Sequence, residues 1–96
     1  MEVEFRKYIE SGTVLIDFYS DACAPCKQLS PVIDEVSKEL TDIDVHKCNI
    51  EEYFEAASQL RVLSVPMLCL FKDGKLVATK GGFAQKEEIK EWINNV

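Results

Sequence analysis

An apolar run that leads straight into a paired-cysteine helix constrains this chain more than any other feature. Val14-Leu15-Ile16-Asp17-Phe18-Tyr19 is apolar almost throughout, the pattern of a central strand covered on both faces. Shortly after it, Cys23-Ala24-Pro25-Cys26 opens a stretch in which Leu29, Val32, Ile33, Val36 and Leu40 recur at helical spacing. A strand that feeds such a helix puts Cys23 at or near the helix N-terminus, where unpaired N–H groups and the positive end of the dipole favour a thiolate. Two cysteines at this spacing can close a small disulfide or hold a metal. A zinc site would need two further ligands. The junction is the setting of a reactive cysteine, not of a buried structural one.

The 96 residues suit one domain, residues 1–96, with a composition of 47% hydrophobic and 29% charged residues that is ordinary for a globular protein. A formal net charge of -6 argues against a nucleic-acid partner. Met1 to Lys7 lacks the basic start and long apolar run of a secretory signal, and no apolar stretch is long enough to span a bilayer. The expected compartment is therefore the cytoplasm. Thiols there are mostly reduced, and a cysteine pair is more often catalytic or metal-binding than a staple.

No repeat, linker or low-complexity segment interrupts the chain. Phe5, Tyr8 and Ile9 share a helical face that Ser11-Gly12 ends, and residues 13 to 19 form a strand. The cysteine helix runs from about Cys23 to Leu40 with Pro31 inside it, where a kink is expected. Residues 44 to 49 read as a second central strand, and Tyr53, Ala56, Ala57 and Leu60 as a helical face. After a loop at 61–64, strands at 67–71 and 76–80 flank the hairpin signal Asp73-Gly74. Gly81-Gly82 ends the second of them, and Ile89, Trp92, Ile93 and Val96 line a last helix. This order predicts an α/β layer sandwich around a mixed sheet.

The run VLIDFYSDACAPCKQLSP, followed by HKCNIEE, VLSVPMLCLFKDGKLV and TKGGFAQKEEIKEWI, resembles the thioredoxin family from about Phe5 to Val96. The CxxC alone is a weak signal. An upstream strand Asp, a downstream Val-Pro before a strand, an Asp-Gly hairpin and a Gly-Gly strand end make it strong. The resemblance implies a thioredoxin fold, with a central mixed sheet of four to five strands and helices on both faces. The first strand would be very short, since Met1 to Glu4 leaves room only for a stub.

The resemblance also implies roles. Cys23 is the nucleophile that attacks a target disulfide, and Cys26 resolves the mixed disulfide that forms. Pro25 belongs to the catalytic loop. Ala24-Pro25 places no charge or His between the cysteines, which argues for a reductant, although the family usually has Gly at position 24. Asp17 matches the family Asp that lies behind the second cysteine and assists its deprotonation, and burial would raise its pKa. Read from the residues alone, it is a solvated strand charge or a strand-end Asp. Lys47 matches that Asp's partner lysine, or is one polar residue in an alternating strand. Lys27 is read as a surface residue.

A lone Val-Pro is ordinarily trans. The resemblance makes Val65–Pro66 a cis bond packed against the CxxC, with Val65 pairing its backbone with the substrate. Ala24, Pro25, Val65, Pro66, Gly82 and Phe83 would line the substrate groove. In such a sheet Cys48 and Cys69 are two strand spacings apart, roughly 9.5 Å. A disulfide requires Cα atoms within about 7 Å, so both are read as free buried thiols. His46 is read as a strand side chain facing a helix or solvent, and Trp92 as core. Tyr19, Ala22 and Met67 depart from the family's usual residues at the recognition surface. The expectation is a monomeric protein-disulfide reductase with no bound cofactor or metal. Its partners would be disulfide-containing client proteins and a separate thioredoxin reductase. The rival readings are a thiol oxidase or isomerase on the same fold, a binding module and a metal carrier.

Overall fold

Five consecutive residues of β1 (Thr13–Tyr19), from Val14 to Phe18, are buried. Such a strand needs a neighbour on each side and cover on both faces. The computed structural model, which describes residues 1–96, supplies both. β1 pairs in parallel with β2 (Asp44–Asn49) and antiparallel with β3 (Met67–Lys72), and β3 pairs antiparallel with β4 (Lys75–Gly81). The sheet is mixed, with the order β2-β1-β3-β4. The parallel pair requires a crossover, which α2 (Ala24–Glu39) provides.

Alternation along β1 divides the core into two layers. Val14, Ile16 and Phe18 meet Phe5 and Ile9 of α1 (Val3–Ile9) and Ala56 and Ala57 of α3 (Phe54–Gln59). Leu15 meets Leu29, Ile33 and Val36 of α2 and Ile89 and Ile93 of α4 (Lys86–Asn94). Asp17 shares a face with Leu15, so it points under α2. Trp92 is half-buried against this second layer.

The turns follow their chemistry. Asp73 (φ 49°) and Gly74 (φ 84°) both adopt positive φ between β3 and β4, the backbone of a two-residue turn that matches the strands' twist. α2 continues through the exposed Pro31 to Glu39. At the other end of the chain α1 opens at Val3, so the space for a stub strand is taken by a helix and the sheet has four strands. The Glu2 carboxylate reaches α3 instead, accepting the N–H groups of Glu55 (2.9 Å) and Ala56 (3.0 Å). That helix has no side-chain cap of its own, and Glu2 satisfies two of its orphan donors.

Cys48 and Cys69 flank β1 on opposite sides, opposite Phe18 and Ile16, and both are free and buried. His46 faces a helix: its ring stacks on Tyr8 of α1 with centroids 4.0 Å apart and planes 12° apart.

Candidate functional site

The register of the sheet gathers three loops at one end of it. β1 runs out at Tyr19 toward Cys23, while Phe18 is opposite Met67 and Met67 opposite Gly81. The carboxyl end of β1, the amino end of β3 and the carboxyl end of β4 therefore share one edge. Each carries a segment singled out by the sequence: residues 23–26, residues 65–66 and residues 82–83.

Cys23 is the N-cap of α2, with extended backbone (φ -95°, ψ 106°), and its Sγ accepts the N–H of Cys26 at 3.2 Å. Ala24 and Pro25 follow in the first helical turn, where Pro costs nothing because its missing N–H would have been unpaired. Cys23 and Cys26 are joined in a disulfide, with Cα atoms 5.2 Å apart. The two sulfurs differ in exposure. Cys23 is half-buried beside the exposed Ala24 and Pro25, whereas Cys26 retains 4% of its surface.

Asp17 lies behind Cys26 and is 2% exposed, and its Oδ1 has no hydrogen-bond partner. Burial pushes its carboxyl from the ordinary 3.8 up to about 6; the Lys47 charge pulls against this and the Asp34 charge adds to it. A cleft of about 240 Å³ opens beside Asp17 and Cys26, with Tyr19, Lys27, Ser30 and Lys47 on its walls. Lys47 is the direct cross-strand partner of Asp17. Its ammonium is nevertheless held on α2, donating to Ser30 Oγ at 2.6 Å and pairing with Asp34 Oδ1 at 2.7 Å.

Val65–Pro66 is cis. Pro66 is buried, and its carbonyl accepts the N–H of Gly82 at 3.0 Å. Gly82 has φ +83°, a backbone state that favours glycine. This bond ties the proline loop to the end of β4, beside Phe83, which is 46% exposed. Neither the N–H nor the C=O of Val65 is engaged within the chain.

The structure thus brings together Cys23, Ala24, Pro25, Cys26 and Asp17, and places Val65, Pro66, Gly82 and Phe83 along the same edge. It does not join Asp17 to Lys47 as an ion pair. Ser30 and Asp34 were missed by the sequence reading. Their signal is the stripe Cys26–Ser30–Asp34, each four residues from the last on one helix face.

The family model for thioredoxin matches residues 1–95. The chain belongs to the thioredoxin family. A thioredoxin of Rickettsia conorii is 43% identical over 97 aligned positions, covering 98% of this chain and 92% of that one. A mutant thioredoxin from Halobacterium salinarum superimposes with a TM-score of 0.89 at 34% identity, covering 99% of this chain and 84% of that one. The oxidised form of mitochondrial thioredoxin 3 from Saccharomyces cerevisiae gives 0.87 at 30% identity, covering 97% and 88%. With this membership and a CxxC disulfide at a helix N-terminus, the thioredoxin-family chain is a thiol–disulfide oxidoreductase of the protein-disulfide reductase type.

Proposed function

We propose that the chain works as a dithiol donor to protein disulfides, with Cys23 as nucleophile and Cys26 as resolving thiol. The difference in burial between the two sulfurs carries this reading. In the reduced protein the helix N-terminus stabilises the Cys23 thiolate. It attacks one sulfur of a client disulfide; a Cys23–client bond forms and the other client sulfur leaves as a thiolate. Cys26 gives its proton to the Asp17 carboxylate, directly or through water in the adjoining cleft. The Cys26 thiolate then attacks Cys23 Sγ, closing the Cys23–Cys26 bond and releasing the second client thiolate. The two electrons that the protein loses are those that the client gains.

In this reading the client strand lies along Ala24, Pro25, Val65, Pro66, Gly82 and Phe83, and pairs with the open N–H and C=O of Val65. A separate reductase returns the disulfide to the dithiol, the protein acts in the cytoplasm as a monomer, and residues 1–96 work as one domain. No helix is long and apolar enough to cross a membrane.

The reduction potential of the Cys23–Cys26 pair tests the direction of electron flow. Alkylation and intact-mass analysis across a series of dithiol/disulfide buffers reads it, with Cys48 and Cys69 changed to Ser. A value near about -270 mV, typical of thioredoxins, supports the donor. A value near about -180 mV, typical of protein disulfide isomerase, makes the chain an oxidant or isomerase instead.

A further inference from the structure

Asp17 and Lys47 are adjacent across β1 and β2 and project from the same face of the sheet. A lysine in that position could pair with the buried carboxylate, and such a pair would stabilise the charged form. The chain prevents it. Ser30 and Asp34 lie one and two turns beyond Cys26 on the stripe of α2 that overlies Lys47, and they hold its ammonium at 2.6 and 2.7 Å. Asp17 Oδ1 remains without a partner.

We propose that Asp34 is a positioning residue: with Ser30 it anchors the Lys47 ammonium on α2 and withholds it from Asp17, whose carboxylate stays free to receive the Cys26 proton. The proposal rests on the functional reading above, in which Asp17 is that acceptor. It has two parts that act in the same direction. Asp34 diverts a positive charge from Asp17, and its own negative charge opposes ionisation there. A carboxylate paired with Lys47 would be a weaker base for a thiol, because base strength falls with the acceptor's pKa. The other titratable groups around Asp17 are Cys26 and Lys27 on α2, Tyr19 and Asp21 on the cleft wall, and Cys48 in the opposite core layer. Neither Lys27 nor Asp21 takes part in an ion pair, so Asp34 is the group that sets where the Lys47 charge sits.

The Lys47–Asp34 pair is partly exposed, with side-chain exposures of 31% and 59%. Pairs of this kind contribute little to stability. Asp34→Asn should therefore leave the fold intact while changing the charge around Asp17, and unfolding would not account for its effect.

The test is a titration of the Asp17 side-chain carboxyl by ¹³C NMR in the oxidised full-length protein, with Asp17→Asn to assign the signal. In Asp34→Asn the midpoint is expected to fall by about one pH unit or more. Ser30→Ala should move it the same way by less, and the conservative Asp34→Glu should keep the wild-type value. The pH profile for single-turnover reduction of a small disulfide probe should show its acid limb displaced to lower pH in Asp34→Asn. An unchanged midpoint in Asp34→Asn, or an equal fall in Asp34→Glu, overturns the proposal. Failure of the wild-type dithiol to reduce the probe overturns the functional reading, and the NMR midpoints still decide the positioning role.

Discussion

Asp17→Asn should gain stability relative to the wild type as pH rises from acid to neutral. The carboxyl titrates near 6 in the folded chain, raised by burial from an ordinary value of 3.8. Below about pH 4 the group is protonated in both states and contributes no pH dependence. Between about pH 4 and 6 the unfolded chain has released the proton and the folded one retains it, so stability falls as pH rises. Above about pH 6 both states are ionised and the full cost of a buried charge is present. At about 1.36 kcal/mol per pH unit, the gap of roughly two units is worth about 3 kcal/mol. Asn carries no charge at any pH and escapes this cost, although its amide introduces donors that must find partners in the cleft. The decisive quantity is therefore how the difference between the two proteins varies with pH. Urea unfolding of the oxidised proteins from pH 4 to 8 measures it. The Asn variant should gain about 3 kcal/mol over wild type across that range, a displacement of roughly 1–3 M in midpoint. A difference that stays flat with pH would refute the assignment of a strained carboxylate to this position.

Further outcomes follow from the same geometry. Cys26→Ser should accumulate a covalent Cys23–client disulfide that resolves slowly or not at all, visible as a mass adduct on non-reducing gels. Cys23→Ser, whose three remaining cysteines are all buried, should form none. Burial pushes the Cys48 and Cys69 thiols up to about 12 each, so at pH 8 they should resist alkylation. Intact mass should show modification of Cys23 alone in the reduced native protein and of all four cysteines after unfolding. Burial raises the Glu2 carboxyl, but the backbone N–H groups that it accepts outweigh this and leave it below its ordinary 4.5. Glu2→Gln should therefore lose about 1 kcal/mol at pH 7, on the scale of a helix cap. Denaturation in acid should show that difference shrinking as pH drops through the carboxyl's folded value.

What could be read ahead of the structure was local. The run from Val14 to Tyr19 announces a doubly covered strand because burial on both faces leaves no polar alternation to hide it. The CxxC announces a helix-terminal site because all its parts lie within four residues. The turn at Asp73-Gly74 was legible for the same reason. The Ser30–Lys47–Asp34 cluster was not, because it joins a helix to a strand in another part of the chain and each residue alone reads as a polar side chain facing water. The Glu2 cap escaped for a similar cause: its recipients at Glu55 and Ala56 are more than fifty residues away. The stacking of His46 on Tyr8 depends on where α1 is laid against β2. The short amino terminus could be read as room for a stub strand, and only the tertiary structure decides that a helix begins at Val3. The cis state of Val65–Pro66 followed from resemblance, since nothing in the dipeptide itself distinguishes it from a trans bond.

The outer position of β2 bears on how the molecule behaves in company. β2 is the outermost strand on its side of the sheet, and one of its long edges has no neighbour. Its main-chain donors and acceptors on that edge are a template for a strand from another molecule. Asp44 is exposed on this strand, and the whole chain carries a net charge of -6. Repulsion between like-charged copies and a charged residue on the edge strand both oppose such pairing. Asp44→Asn, which lowers both the edge charge and the net negative charge, should therefore bring on self-association at lower concentration, as light scattering across a concentration series would show.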